Sequence, residues 1–215
     1  MERDRLLDGT PAGERAWYDS VRSGLEAAYL AGTTPMEQSG TSADAARWER
    51  IRRPIVNAVD RDGSFLDVGC ASGLLMESIV GWAAEDGHDI EPFGLDHSWA
   101  LTALARHRLP QWADRIHTGN AIDWVPARPF DYVRTELAYV PPQREAQLVR
   151  HLLKVAVAPG GRLIVCSYGS SRKSAPRTED IARKLRDWNN VVSGEADVSD
   201  KGVNVTRVAW VDKPR

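Results

Sequence analysis

Apolar positions in the first sixty residues recur at helical spacing. Trp17, Val21, Leu25 and Ala28 fall three or four residues apart and make one apolar face, so a helix is expected over 13–31. Gly32-Thr33-Thr34-Pro35 ends it. After a loop through Gln38-Ser39-Gly40, Thr41 or Ser42 is placed to cap a second helix over 42–60, where Trp48, Ile51, Ile55 and Ala58 keep the spacing. Pro54 lacks an N–H and clashes with the turn before it, so it should kink or restart that helix.

From residue 64 the period changes. Short apolar runs predict strands near 64–69, 91–95, 114–118, 130–135 and 161–168. Amphipathic segments near 73–85, 98–108 and 142–157 predict helices between them. Such alternation builds a parallel sheet with helices on both faces. Beyond a helix through Ile181, Leu185 and Trp188, two extended runs, 190–197 and 203–211, flank Ser199-Asp200-Lys201-Gly202, which has the composition of a hairpin turn. The expected fold is α/β, a doubly wound, Rossmann-like sheet of seven strands. It is mostly parallel, ends in a C-terminal antiparallel hairpin and carries N-terminal helices. Residues 1–60 form a helical extension and candidate lid, and 61–215 form the main domain.

Composition narrows the classes. Lys and Arg number 28 against 30 Asp and Glu, a formal charge of −2, so the chain as a whole has no basic surface for nucleic acid. No apolar run is long enough to span a bilayer, and Met1-Glu2-Arg3-Asp4-Arg5 lacks the apolar stretch of a secretory signal. Cys70 and Cys166 make neither a disulfide framework nor a zinc site and read as buried small residues. The expectation is a cytoplasmic protein without membrane, nucleic-acid or metal partners, a monomer or homodimer.

The chemistry concentrates in Phe65-Leu66-Asp67-Val68-Gly69-Cys70-Ala71-Ser72-Gly73, where an apolar strand runs into small residues and a helix then opens. Small residues let a ligand approach the backbone, and a helix N-terminus offers free N–H groups. Further on, Asp96 ends Phe93-Gly94-Leu95-Asp96, where an acid can accept hydrogen bonds from both ribose hydroxyls of an adenosine ligand. Ser98 can cap the next helix in its place. A dinucleotide fingerprint would need glycine at 71 and 74, but the residues are Ala71 and Leu74, and no Gly-Lys-Ser/Thr loop occurs.

Asp67-Val-Gly-Cys-Ala-Ser-Gly73 resembles the first motif of class I S-adenosylmethionine-dependent methyltransferases, Asp/Glu-x-Gly-x-Gly-x-Gly, with Ala71 at the middle glycine. Gly94-Leu-Asp-His-Ser-Trp-Ala-Leu101 resembles their second-strand motif. Gly119-Asn120-Ala121 resembles the turn after the third strand, with Asn for the usual Asp. Phe130-Asp131-Tyr132-Val133 resembles the start of the fourth strand, and Leu152 through Leu163 the helix, Pro-Gly-Gly turn and fifth strand.

The resemblance implies S-adenosyl-L-methionine as cofactor. Gly69, Cys70, Ala71 and Gly73 would lie under its methionine part, with Asp67 ordering the loop or acting through water. Asp96 would hold the ribose, His97 would pack on the adenine, and Asn120 and Ala121 would meet the adenine edge. Thr135 would line the same site. It also implies an enzyme that methylates a small metabolite or natural product at oxygen or nitrogen. The alternatives are an RNA methyltransferase and a non-catalytic cofactor binder.

At the fourth-strand tip, Glu136 reads either as a group that orients or deprotonates the acceptor or as a loop carboxylate paired with an arginine, and Tyr139 as a pocket wall. Trp17, Trp48 and Trp124 read first as core residues and second as residues of the site mouth. Arg47, Arg50, Arg52 and Arg53 read as a solvated face or as one that meets an anionic acceptor. Arg172, Lys173, Arg177, Arg183, Lys184 and Arg186, with acids interspersed, read as an exposed helix or as an RNA contact.

Overall fold

Five parallel strands and an antiparallel pair make one seven-stranded sheet in the order β3-β2-β1-β4-β5-β7-β6. The strands are β1 (Gly63–Val68), β2 (Ile90–Asp96), β3 (Ile116–Thr118), β4 (Phe130–Glu136), β5 (Val157–Tyr168), β6 (Gly194–Asp200) and β7 (Val203–Asp212). The helices are α1 (Pro11–Leu30), α2 (Ala45–Arg52), α3 (Leu74–Glu85), α4 (Trp99–Arg108), α5 (Glu145–Val155) and α6 (Ile181–Asp187). The structure is a computed structural model and describes residues 7, 10–40, 44–172 and 176–215.

Strand residues alternate between two apolar cores, as a sheet covered on both faces requires. Leu66, Val133, Leu163 and Val165 face one core with α5 and α6. Phe65, Tyr132, Ile164 and Cys166 face the other, shared with α3. Asp67 and Arg134 pair in register two residues beyond Phe65 and Tyr132. By the period of two they extend the α3-side rows, so a charged pair continues a row of apolar side chains.

Local chemistry sets the boundaries. Pro54 breaks the second N-terminal helix as expected: α2 stops at Arg52 and a 3-10 segment, Arg53–Ala58, replaces the rest of the predicted 42–60 helix. Ile55, Val56 and Ala58 of that segment are buried in the α3-side core. The cap of α2 is Asp44, whose side chain accepts from the Arg47 N–H at 2.8 Å; Thr41 and Ser42 lie outside the described residues. The predicted 142–157 helix is shorter at both ends, because Pro142–Arg144 winds as a 3-10 turn and Val157 already belongs to β5. The hairpin turn is tighter than the composition suggested. Lys201 (φ 51°) and Gly202 (φ 74°) alone turn the chain, with the two positive φ values of a type I′ turn.

β1 connects to β2 on one side, while β4 lies on its other side. That reversal opens a crevice above the carboxyl ends of the strands. α1 closes over it. Glu26 accepts from the Ser98 hydroxyl at 2.6 Å, and Glu14 takes a two-pronged contact from Arg144 at 2.7 and 2.9 Å. The following loop is tied down by Ser39 and Ser72, whose hydroxyls are 2.7 Å apart. Among the described residues no helix is long and apolar enough to cross a membrane.

Candidate active site

The crevice is a cavity of about 700 Å³ between α1 and the strand ends. Its floor is the turn after β1. Gly69 (φ 80°), Ala71 (φ 45°) and Gly73 (φ 80°) all take the left-handed conformation. At Gly69 a Cβ would lie 2.4 Å from the Tyr139 ring, and at Gly73 it would lie 2.5 Å from Leu109 Cδ1, so glycine is required at both. Ala71 holds the same backbone sign with a methyl group, a strain of roughly 1–2 kcal/mol. No side chain caps α3, whose first turn opens at Gly73.

Asp96 at the tip of β2 braces this turn. Its Oδ2 accepts from the Ala71 N–H at 2.9 Å and its Oδ1 from the Ser98 N–H at 2.8 Å. Burial raises its pKa, and the two amides pull it back. Each oxygen retains a second lone pair. Ser98 also caps α4 by accepting from the Leu101 N–H at 3.1 Å.

The far end is aromatic. The Tyr18 ring from α1 stands 5.9 Å from the His97 ring. Burial pushes the Tyr18 phenol up to about 12. Asn120 turns the chain after β3, its Oδ1 accepting from the Ile122 N–H at 3.3 Å, and Ala121 follows at the cavity wall.

The near end holds the charged pair of β1 and β4. Arg134 is 2% exposed and Asp67 1%. Arg134 Nη1 donates to Asp67 Oδ1 at 3.2 Å, to the Val68 carbonyl at 3.4 Å and to the Tyr139 hydroxyl at 3.0 Å, while its Nη2 pairs with Glu136 Oε1. Tyr139 donates to the same Glu136 oxygen at 2.8 Å. Asp67 Oδ2 is buried without a partner. Burial pushes Asp67 up to about 6 against the pull of Arg134.

Because the folded pKa of Asp67 lies above its unfolded value near 3.9, the folded state holds the extra proton. The Asp67 contribution to stability is therefore most favourable below pH 4 and is lost as pH rises through 6. Relative to Asp67→Asn, the parent protein should lose about 2 kcal/mol between pH 4 and pH 7. Urea unfolding at both pH values measures this. Curves that stay parallel across the range would mean that Asp67 is ionised throughout.

The sequence-derived candidates mostly converge. Asp67, Gly69, Cys70, Ala71, Asp96, His97, Asn120, Ala121, Glu136 and Tyr139 line the cavity. Gly73 lies behind it, packed on Leu109. Thr135 is fully buried and points away, by strand alternation, from the face of Arg134 and Glu136. Trp17 and Trp48 line the cavity while remaining buried. Trp124 does not: its ring packs 5.5 Å from His117. Of the two readings of Glu136, the arginine pairing is present. Arg134 and Tyr168 are site residues that the pattern reading missed. The available signal was an arginine directly after the apolar pair Tyr132-Val133 in the fourth strand.

No family model and no curated protein matches the sequence. Solved structures do match. The Burkholderia thailandensis 1,6-didemethyltoxoflavin-N1-methyltransferase, solved with 1,6-didemethyltoxoflavin and S-adenosylhomocysteine, is 16% identical over 97% of this chain and 94% of its own, with a TM-score of 0.66. The [4+2]-cyclase SpnF is 15% identical over 94% and 95%, at 0.63. A SAM-dependent methyltransferase from Aquifex aeolicus is 13% identical over 84% and 99%, at 0.60. At such identities the likeness is one of fold.

Proposed function

We propose that this chain, which has the fold of class I S-adenosylmethionine-dependent methyltransferases, transfers a methyl group from that cofactor to a small organic acceptor. The observation that carries this reading is the left-handed turn from Gly69 to Gly73 held by Asp96, whose oxygens keep lone pairs for a ribose. The residues fit the cofactor along its length. Asn120, Ala121 and His97 meet the adenine, Asp96 the ribose, and the turn with the unpartnered Asp67 oxygen the methionine amine.

The chemistry supplied by the bound cofactor is an activated sulfonium methyl. The task left to the protein is alignment and exclusion of water. α1 and the loop from Thr33 to Gly40 act as the cover, whereas Arg53–Ala58 belongs to the core, so the lid is the first part of the N-terminal extension only. Glu136 receives both its hydrogen bonds on Oε1 and offers Oε2 to the acceptor. Small acceptors suit a concave cavity of about 700 Å³. RNA does not suit the α6 surface, where Lys184 pairs with Glu145 and Glu179, and Arg186 with Glu195.

Calorimetric titration with S-adenosylhomocysteine tests the cofactor. Incubation with methyl-labelled cofactor and a panel of small hydroxyl and amine acceptors tests transfer. Glu136→Gln should bind S-adenosylhomocysteine within twofold of the parent and turn over at least a hundredfold more slowly, the low end of what a positioned proton acceptor contributes. Equal turnover would remove Glu136 from the acceptor site.

A further inference from the structure

We propose that Arg52 and Tyr168 form a seat for a carboxylate on the acceptor, so that the substrate is a small acid; this rests on the methyl-transfer reading above.

Among the described residues three arginines line the cavity. Arg22 is paired with Asp19 at 2.9 Å, and Arg134 with Asp67 and Glu136. The guanidinium of Arg52 makes no ion pair and no hydrogen bond among the described residues. Its two contacts are aromatic: the central carbon lies 3.3 Å from the Tyr168 ring centroid and 5.1 Å from that of Trp48. In the same cluster Arg47 reaches Asp200 and Arg53 reaches Glu49 and Glu85, while Arg50 is unpaired like Arg52 among the described residues but does not line the cavity.

Stacking fixes the plane of a guanidinium and leaves its N–H edge for an acceptor, which a carboxylate matches with two oxygens. Arg52 is half-buried, so these donors are partly removed from water and are best satisfied by an anion. Tyr168 is the second, independent observation. Tyr168 lines the same cavity, and its buried hydroxyl has no nitrogen or oxygen partner, with only the Cys166 thiol beside it.

Position separates this seat from the cofactor. Tyr168 ends β5, and β5 lies two strands from β1 on the side away from Asp96 and Asn120. Two strand spacings are about 10 Å. An acid held at Arg52 extends over β4, where Glu136 stands, and so toward the turn that carries the methyl donor.

The test uses benzoate, 4-hydroxybenzoate and phenylacetate, each against its neutral amide, titrated into protein saturated with S-adenosylhomocysteine. At least one acid should bind ten times more tightly than its amide. Arg52→Met, which keeps an apolar stem against Trp48 and Tyr168, should abolish that preference while S-adenosylhomocysteine affinity stays within twofold. Tyr168→Phe should reduce the preference severalfold without unfolding the protein. Equal binding of acids and amides by the parent protein overturns the proposal. So does an Arg52→Met variant that loses S-adenosylhomocysteine tenfold but keeps 5′-methylthioadenosine, which lacks the carboxylate, since Arg52 would then serve the cofactor. A parent protein that binds no S-adenosylhomocysteine refutes the methyl-transfer reading instead, and the acid–amide comparison without it still decides Arg52.

Discussion

Asp96→Ala should weaken S-adenosylhomocysteine binding by a hundredfold or more and lower thermal stability at the same time. Two charge-assisted hydrogen bonds to a ribose are each worth roughly 1.5–3 kcal/mol. The carboxylate also holds the Ala71 N–H at 2.9 Å, and Ala71 is the strained residue of the turn at φ 45°. Its removal therefore takes away a ligand contact and the brace that keeps the turn in its binding shape. Titration calorimetry and a melting curve read the two effects separately. Asp96→Asn distinguishes them further: its side-chain oxygen can still accept from one backbone N–H, so stability should recover more than affinity. An alanine variant with parent-like affinity would remove Asp96 from the ligand.

Arg134→Met is expected to cost about 3–5 kcal/mol of stability, the usual penalty for breaking one side of a buried ion pair. Methionine fills much of the volume but leaves the buried Asp67 beside the partly buried Glu136 with no cation between them. The deficit should shrink as pH falls from 7 toward 4. In the variant the folded pKa of Asp67 rises further above its unfolded value, so protonation relieves the folded state alone. Adding Asp67→Asn should restore part of the loss at pH 7, and a double-mutant cycle gives the coupling. A cost below about 1 kcal/mol would mean that the guanidinium does not offset the carboxylates.

The two outcomes bear on what could be read before folding. Asp96 was legible because it belongs to a local pattern, an acid ending an apolar run a short distance after a small-residue turn. The Lys201-Gly202 turn and the Pro54 break were legible for the same reason: a few adjacent residues decide the backbone there. Arg134 was not. Its partner Asp67 lies 67 residues away in sequence, and the two meet only because β1 and β4 become neighbours with these residues in register. Strand ends suffered likewise. β5 begins at Val157, before the Pro159-Gly160-Gly161 punctuation, because Phe130 of β4 pairs with it across an irregularity in the register. The seat at Arg52 lay between the cases. The cluster of four arginines was visible, but which of them are paired depends on Asp200, Glu85 and Asp86 from distant segments, and which unpaired one faces the cavity depends on the fold.

The strand order carries one more consequence, for solubility. An open sheet has two edges, and an unprotected edge can recruit a strand from another molecule. Here one edge is β3, only three residues long. The other is β6, whose exposed face carries Glu195 and Asp197. A second copy docking edge to edge at β6 would set these carboxylates against their own counterparts. Neither edge offers a long, neutral template for growth into fibres, and replacing Glu195 and Asp197 with valine would create one.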